Sequence, residues 1–177
     1  MSKARLATIW LDGCSGCHMS FLDMDEHLVT LSEQADLVYS PYVDTKEFPK
    51  NVDITLVEGA IGNTEDLEKV RKVRANTRIL VSLGDCAVTG NVSSMRNTFG
   101  VERVLKHAYE ETATLNAQIP KIDIPLLLER ARPIHEFVTV DVFVPGCPPD
   151  APTIAYCLDE LLAGRTPDMN KYTRFGK

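Results

Sequence analysis

The sequence has no long hydrophobic run and no cluster of basic residues. No apolar stretch approaches the roughly 18–20 residues that a membrane-spanning helix needs, so we expect no membrane span. The sequence contains 19 Lys and Arg residues and 25 Asp and Glu residues, so its formal net charge is −6. Nucleic-acid binding is therefore not expected, because a phosphate backbone requires a basic face. The N-terminus lacks the long apolar segment and cleavage site of a signal peptide, so we predict a cytoplasmic protein.

Cysteine is scarce, with five among 177 residues. A chain of this length can bury a sizeable core and does not need disulfides to fold. The odd number of cysteines therefore indicates metal binding or redox chemistry rather than a disulfide framework.

Short apolar runs alternate with helical patterns along the chain. The runs are rich in Val, Ile and Leu and are bounded by Gly, Pro, Asp or Asn, as buried parallel strands are. The predicted strands are residues 4–11, 35–43, 52–61, 77–87 and 137–144. The predicted helices are residues 19–34, 64–76, 101–111 and 150–163. This alternation predicts an α/β fold with a flavodoxin-like, doubly wound parallel sheet of about five strands in the order 2-1-3-4-5.

Residues 1–177 are expected to form one domain, because the length suits a single core. Residues 110–136 depart from the alternation, since three prolines surround a short apolar patch at 124–128. We expect this segment to be a long surface excursion that covers the sheet edge. A partner-binding role stays open, because long structured loops are often functional.

Four of the five cysteines lie at the end of a predicted strand or directly after one. Cys14 and Cys17 come after the first strand, Cys86 ends the fourth, and Cys147 follows the fifth. The carboxyl ends of parallel strands share one edge of the sheet, where α/β folds bind their ligands. We therefore expect the four thiols to meet at that edge.

Four thiolates can hold either a zinc ion or an iron–sulfur cluster. Structural zinc usually takes two close pairs of cysteines, whereas here one pair is joined by single cysteines from two distant loops. Pro148 directly after Cys147 matches the Cys-Pro that ends ferredoxin cluster motifs. The pattern favours a [4Fe–4S] cluster, with zinc as the alternative.

At these motifs the sequence resembles the small subunit of [NiFe] hydrogenases, and most closely the short cytoplasmic form of bidirectional NAD-reducing enzymes. The similar stretches are DGCSGCHMSFLD, VEGAIGN, SLGDCAVTGN and VPGCPPDAPTI. The resemblance implies that Cys14, Cys17, Cys86 and Cys147 ligate a proximal [4Fe–4S] cluster. In that family the cluster passes electrons between the Ni–Fe centre of a large subunit and downstream carriers.

The resemblance also implies partners for this chain. Hydrogen would be split on the large subunit, because the Ni–Fe site takes two Cys-x-x-Cys pairs and this chain has one. FMN and NAD are expected on the iron–sulfur and flavin subunits of a diaphorase, and the fingerprint G-x-G-x-x-G is absent here. The twin-Arg leader and cysteine-rich C-terminal extension of periplasmic small subunits are not found, which favours a cytoplasmic relay with one cluster.

Three alternatives stay open. Residues 12–16 occupy the place of the flavodoxin phosphate loop, so FMN on this chain is a weaker interpretation. A quinone-linked subunit of the complex I type shares the Gly-Cys-Pro-Pro signature but carries adjacent cysteines where this chain has Cys14 and Cys17. A zinc-stabilised interaction protein without redox activity is the third.

Five further residues near these motifs need an interpretation. Glu58 ends a strand run and resembles the family's glutamate near the large-subunit interface, so it is a candidate for hydrogen bonding or proton relay, or a capping acid. Asp12 is expected to orient the cysteine loop. His18 is expected to form a hydrogen bond outside the ligand set, Cys157 to pack as a small core residue, and Trp10 to pack near the cluster or at an interface.

Overall fold

Strands and helices alternate along residues 3–173, the part of the chain that the computed structural model describes. In chain order the strands are β1 (Ala4–Trp10), β2 (Ala35–Tyr39), β3 (Val52–Glu58), β4 (Ile61–Asn63), β5 (Thr77–Leu83), β6 (Leu127–Arg132) and β7 (Val142–Val144). The α-helices are α1 (Gly16–Leu22), α2 (His27–Gln34), α3 (Thr64–Ala75), α4 (Asp85–Thr89), α5 (Asn91–Ser94), α6 (Val101–Lys106) and α7 (Ala151–Leu162). No helix in this range combines the length and the apolar character that crossing a bilayer requires.

Five strands form one parallel sheet in the order β2-β1-β3-β5-β7. Trp10 at the end of β1 pairs with Glu58 at the end of β3, and Glu58 pairs with Leu83 at the end of β5. The central strands therefore finish level with one another, and the loops that follow them leave from one edge. The strand order is the predicted one, and the flavodoxin-like α/β fold is confirmed.

Helices cover both faces of the sheet, which explains why β3 is buried along most of its length. On one face Phe21 of α1 and Leu158 of α7 join the core cluster of the sheet. On the other face Val70 and Val73 of α3 pack into a second cluster with strand residues such as Leu80. The two apolar layers hold the sheet rigid beneath its carboxyl edge.

Several of the predicted elements are shortened or divided by turns. The strand predicted over 35–43 ends at Tyr39, and the strand predicted over 77–87 ends at Leu83, where Gly84 (φ 80°) turns the chain into α4. The helix predicted over residues 19–34 is two helices, because Asp25 has a left-handed backbone (φ 48°) and the chain changes direction between α1 and α2. The strand predicted over 52–61 ends at Glu58, because Gly59 (φ 97°) turns the chain. A Cβ on Gly59 would lie 2.8 Å from the backbone of Leu11, so only glycine lets the two loops touch.

A small antiparallel sheet was missed by the sequence patterns. Within residues 110–136, β6 pairs with β4, while residues 112–126 contain neither helix nor strand and are mostly exposed. Arg96 donates hydrogen bonds to the carbonyl oxygens of Gly62 and Leu128, which ties the two strands together. The strand predicted over 137–144 is also short, because Phe137 and Val138 donate their backbone N–H groups to the Ile134 carbonyl in a turn and only Val142–Val144 form a strand.

Candidate metal centre

The loop after β1 carries Cys14 and Cys17 and is anchored to the loop after β3. The backbones of Asp12 and Ala60 exchange two hydrogen bonds, of 3.2 and 2.7 Å. Ser15 then takes a left-handed conformation (φ 68°) that turns the chain into α1. As a result Cys17 lies in the first turn of α1, buried at the carboxyl edge of the sheet, while Cys14 stays exposed.

The other two cysteines lie on loops that are bonded to each other. Cys86 is in the first turn of α4, after β5, and Cys147 follows β7. Asp85 donates its backbone N–H to the Gly146 carbonyl at 2.8 Å, and its Oδ1 accepts the N–H of Gly146 at 2.7 Å. This double contact holds the two loops side by side, and the peptide bond between Cys147 and Pro148 is cis.

The Cys17 sulfur packs against the backbone of Gly84, at the start of α4. A Cβ on Gly84 would lie 2.1 Å from that sulfur, and Gly84 has φ 80°. Both the conformation and the close approach require glycine. The first cysteine loop and the Cys86 loop therefore meet at this point.

The four thiols influence one another electrostatically. Burial is the largest cause that raises the pKa of Cys17, followed by the charges of Glu58, Cys14, Cys86 and Cys147. Burial also raises the pKa of Cys86. In the metal-free chain these two thiols therefore resist ionisation. A bound metal would reverse this, because metal ligation requires thiolates and releases their protons.

The site is half open to solvent. Cys17 and Cys86 are each 7% exposed, whereas Cys14 and Cys147 are exposed, and all four are free thiols. Within the described range 3–173, no three His, Cys, Asp or Glu side chains converge tightly enough to hold a single metal ion. The four sulfurs are gathered at one edge of the sheet without meeting at one point.

Glu58 lies beneath the cysteine loop and is almost completely buried (1% exposed). Its carboxyl group accepts the backbone N–H of His18 at 2.9 Å and that of Cys17 at 3.4 Å. The His18 ring contacts Glu58 through Nδ1, and its Nε2 lies 3.0 Å from the Thr8 hydroxyl. Both ring nitrogens of His18 are thus occupied by protein groups, and Glu58 caps the start of α1.

The remaining predicted residues fall at or near this edge, except Cys157. The Asp12 backbone anchors the first loop, and the pKa of its half-buried carboxyl group is raised by burial against the lowering effect of Arg96. Trp10 is half-exposed and donates its indole N–H to the carbonyl of Gly13 at 3.2 Å. Cys157 belongs to α7 and is buried in the core, as predicted.

Two contacts of the site were not predicted from the sequence. One is the pairing of Asp85 with Gly146, whose only signal was the position of Asp85 directly before Cys86. The other is Asn91, whose side-chain Nδ2 donates to the Cys147 sulfur at 3.3 Å although the two residues are 56 positions apart. Nothing local in the sequence marks that contact.

Known proteins resemble this chain over most of its length. The family model of the NADH ubiquinone oxidoreductase 20 Kd subunit matches residues 14–161. The NAD-reducing hydrogenase HoxS subunit delta of Cupriavidus necator is 43% identical over 172 residues, which cover 94% of this chain and 82% of that protein. A vhu subunit of the F420-non-reducing hydrogenase of Methanocaldococcus jannaschii is 36% identical, and the match covers 93% of this chain but 58% of that protein. The iron-sulfur subunit of the F420-non-reducing hydrogenase of Archaeoglobus profundus is 30% identical, with 98% and 60% covered. The chain thus spans little more than half of these two archaeal relatives.

Solved structures are also similar to this chain. An NAD⁺-reducing [NiFe]-hydrogenase in the H₂-reduced state superposes with a TM-score of 0.94 at 42% identity, covering 98% of this chain and 99% of the matched chain. A [NiFeSe]-hydrogenase from Dm. baculatum superposes with a TM-score of 0.57 at 18% identity, covering 93% of this chain and 62% of the other. The second similarity concerns the fold alone.

Proposed function

Since this chain belongs to the family of the NADH ubiquinone oxidoreductase 20 Kd subunit, and within it to the small subunits of NAD-reducing and related [NiFe] hydrogenases, we propose that it holds one proximal [4Fe–4S] cluster for electron transfer. The ligands would be Cys14, Cys17, Cys86 and Cys147. The observation that carries the proposal is the gathering of these four thiols, from three separate loops, at the carboxyl edge of one sheet.

The donor set suits an iron–sulfur cluster better than zinc. Cys₄ ligation is usual for [4Fe–4S] clusters, and the relative from Archaeoglobus profundus is named an iron-sulfur subunit. A single zinc ion would hold its sulfur ligands about 2.3 Å from one point, whereas no three potential ligands among the described residues converge in that way. When bound, the cluster would supply reversible one-electron transfer, and the chain's own task is to hold and shield it.

The large subunit is the proposed partner at this edge. Cys14 and Cys147 are exposed there, and large apolar side chains in or beside the cysteine loops and α5 are exposed as well. These side chains are Trp10, Met19, Val92 and Met95, each 48% or more exposed. Exposed apolar patches commonly mark protein interfaces. We propose that a large subunit with the Ni–Fe centre covers this surface.

A diaphorase module is the proposed second partner, with iron–sulfur subunits, FMN and the NAD site. The relative from Cupriavidus necator is named an NAD-reducing hydrogenase, which supports this assignment. The net reaction of the complex would be hydrogen plus NAD⁺ to NADH plus a proton, and it would be reversible. The complex would work in the cytoplasm.

FMN on this chain is less well supported by the loop geometry. A flavodoxin-type loop would offer the amide N–H groups at the start of α1 to a phosphate. Here the N–H groups of Cys17 and His18 are bonded to Glu58 instead. The same contacts make Glu58 a capping acid, and a proton relay through Glu58 stays a prediction.

Metal analysis of the complex tests the proposal. The chain should be co-expressed with its partner subunits, purified without oxygen, and analysed for iron, acid-labile sulfide and zinc. Cys14→Ser and Cys147→Ser should each lose about four irons and four sulfides per chain relative to the parent complex, and hydrogen-dependent NAD reduction should fall with them. Cys157→Ala is the matched control and should lose neither, because Cys157 lies in the core.

Other results would favour the alternatives. One zinc per chain without sulfide would contradict the relay and support the zinc-stabilised interaction protein. A full iron content combined with hydrogen-independent, inhibitor-sensitive quinone reduction would support the subunit of the complex I type.

A further inference from the structure

Hydrogen-bond donors are distributed unequally around the four sulfurs. Asn91 Nδ2 donates to the Cys147 sulfur at 3.3 Å. The backbone N–H groups of Val92 and Ser93 bond to Cys86 and lower its pKa, against the larger raising effect of burial. On the opposite side, the amides of Cys17 and His18 are bonded to Glu58. One short segment, residues 91–93, therefore supplies donors to two of the four sulfurs.

Neighbouring contacts hold this segment in place. The Ser93 hydroxyl donates to the carbonyl of Asp12 at 2.7 Å, in the first cysteine loop. The Ser94 hydroxyl donates to the carbonyl of Asn91 itself at 2.8 Å. Asn91 has φ 25°, a conformation that asparagine tolerates better than most residues. Asparagine thus combines the required backbone with a side-chain N–H that reaches the sulfur.

We propose that Asn91 raises the reduction potential of the cluster through its hydrogen bond to Cys147. This inference rests on the proposed [4Fe–4S] cluster. On reduction one electron is added from the redox partner, no proton is taken up, and no bond of this chain forms or breaks. The added negative charge is shared with the cysteine sulfurs, so an N–H dipole directed at a sulfur stabilises the reduced form. Hydrogen bonds to the sulfurs are among the factors that set iron–sulfur potentials.

Asn91→Asp tests the inference, because it keeps the size of the side chain and replaces the N–H donor with an oxygen. The purified complex would be titrated at controlled potential and followed by electron paramagnetic resonance. The relevant signal is the one that Cys147→Ser removes. We expect the ratio of reduced to oxidised cluster to be about tenfold lower at a fixed potential, which corresponds to a midpoint about 59 mV lower for one electron.

Two further variants separate the hydrogen bond from other causes. Asn91→Gly tolerates the same backbone conformation and removes the donor without adding charge, so its shift should have the same sign and be smaller. Asn51→Asp is the matched control: Asn51 also has positive φ (56°) and is exposed, but it precedes β3 at the opposite edge of the sheet. Its midpoint potential should equal that of the parent complex.

The outcomes are distinguishable. Full iron and sulfide content with an unchanged midpoint in both Asn91 variants would overturn the inference and leave the cluster in place. A shift in Asn91→Asp without one in Asn91→Gly would also overturn it, since added charge alone would then explain the effect. If Asn91→Asp fails to assemble, Asn91→Gly supplies the decisive titration. Absence of iron and sulfide from the parent complex would refute the proposed function, and this inference with it.

Discussion

Replacing Gly84 by alanine should prevent the proposed [4Fe–4S] cluster from binding while leaving the fold intact. Gly84 has φ 80° and ψ 161°, a backbone region that is essentially restricted to glycine. The added Cβ would also lie 2.1 Å from the Cys17 sulfur. Because the added Cβ would clash with the sulfur in its present position, we expect the Cys17 side chain to move away from the other three thiols.

A second glycine isolates the backbone part of the cost. Gly100, before α6, has φ 79° and ψ 158°, and a Cβ there would have no heavy atom within 4 Å. In Gly100→Ala the free energy of unfolding should therefore fall only by the backbone conformational cost, about 1–3 kcal/mol. In Gly84→Ala it should fall by this cost and by about 1–3 kcal/mol more, because the added methyl group overpacks the site. Against a typical stability of about 5–15 kcal/mol, both variants should remain folded.

Iron and sulfide content of the anaerobically purified complex is the assay, together with the denaturant midpoint of each variant. Gly100→Ala should keep the iron content of the parent complex, and Gly84→Ala should lose most of the iron that Cys14→Ser loses. Equal iron content in Gly84→Ala and Gly100→Ala would refute the reasoning, since the position of the Cys17 sulfur would then not depend on the open space at Gly84.

Two further predictions concern Asp85 and Cys157. Asp85→Ala removes the acceptor of the Gly146 N–H, so the Cys147 loop should become less ordered and the iron content per chain should fall. Asp85→Asn keeps an oxygen acceptor, so its iron content should stay close to that of the parent complex. Burial raises the pKa of Cys157 to about 12, above its unfolded value of about 8.5. Its contribution to stability is thus fully present below the unfolded pKa and declines as the pH rises toward the folded one. Urea unfolding of the metal-free chain should show that the free energy of unfolding falls as the pH rises above about 8.5, and the fall should be shallower in Cys157→Ala. An equal pH dependence in the two proteins would contradict the raised pKa of Cys157.

The fold could be predicted largely because parallel strands buried on both faces are continuous apolar runs, and β1, β3 and β5 are of this kind. Strands β4 and β6 were missed because β6 is a partly exposed segment, Leu-Leu-Glu-Arg-Ala-Arg, whose pairing depends on a partner far along the chain. The break between α1 and α2 was missed because a left-handed residue such as Asp25 does not interrupt the hydrophobic spacing.

The sequence by itself determined the architecture and the edge at which the cysteines lie. Both follow from local information, namely apolar periodicity and the position of each cysteine directly after a strand. The tertiary structure alone decided which groups surround the sulfurs. Gly84 against Cys17, Asn91 on Cys147 and Glu58 beneath α1 are contacts between segments distant in sequence, 56 residues apart for Asn91 and 40 for Glu58 with His18. Such contacts arise only when the packed sheet brings its loops together, because no short-range pattern encodes which loops will become neighbours.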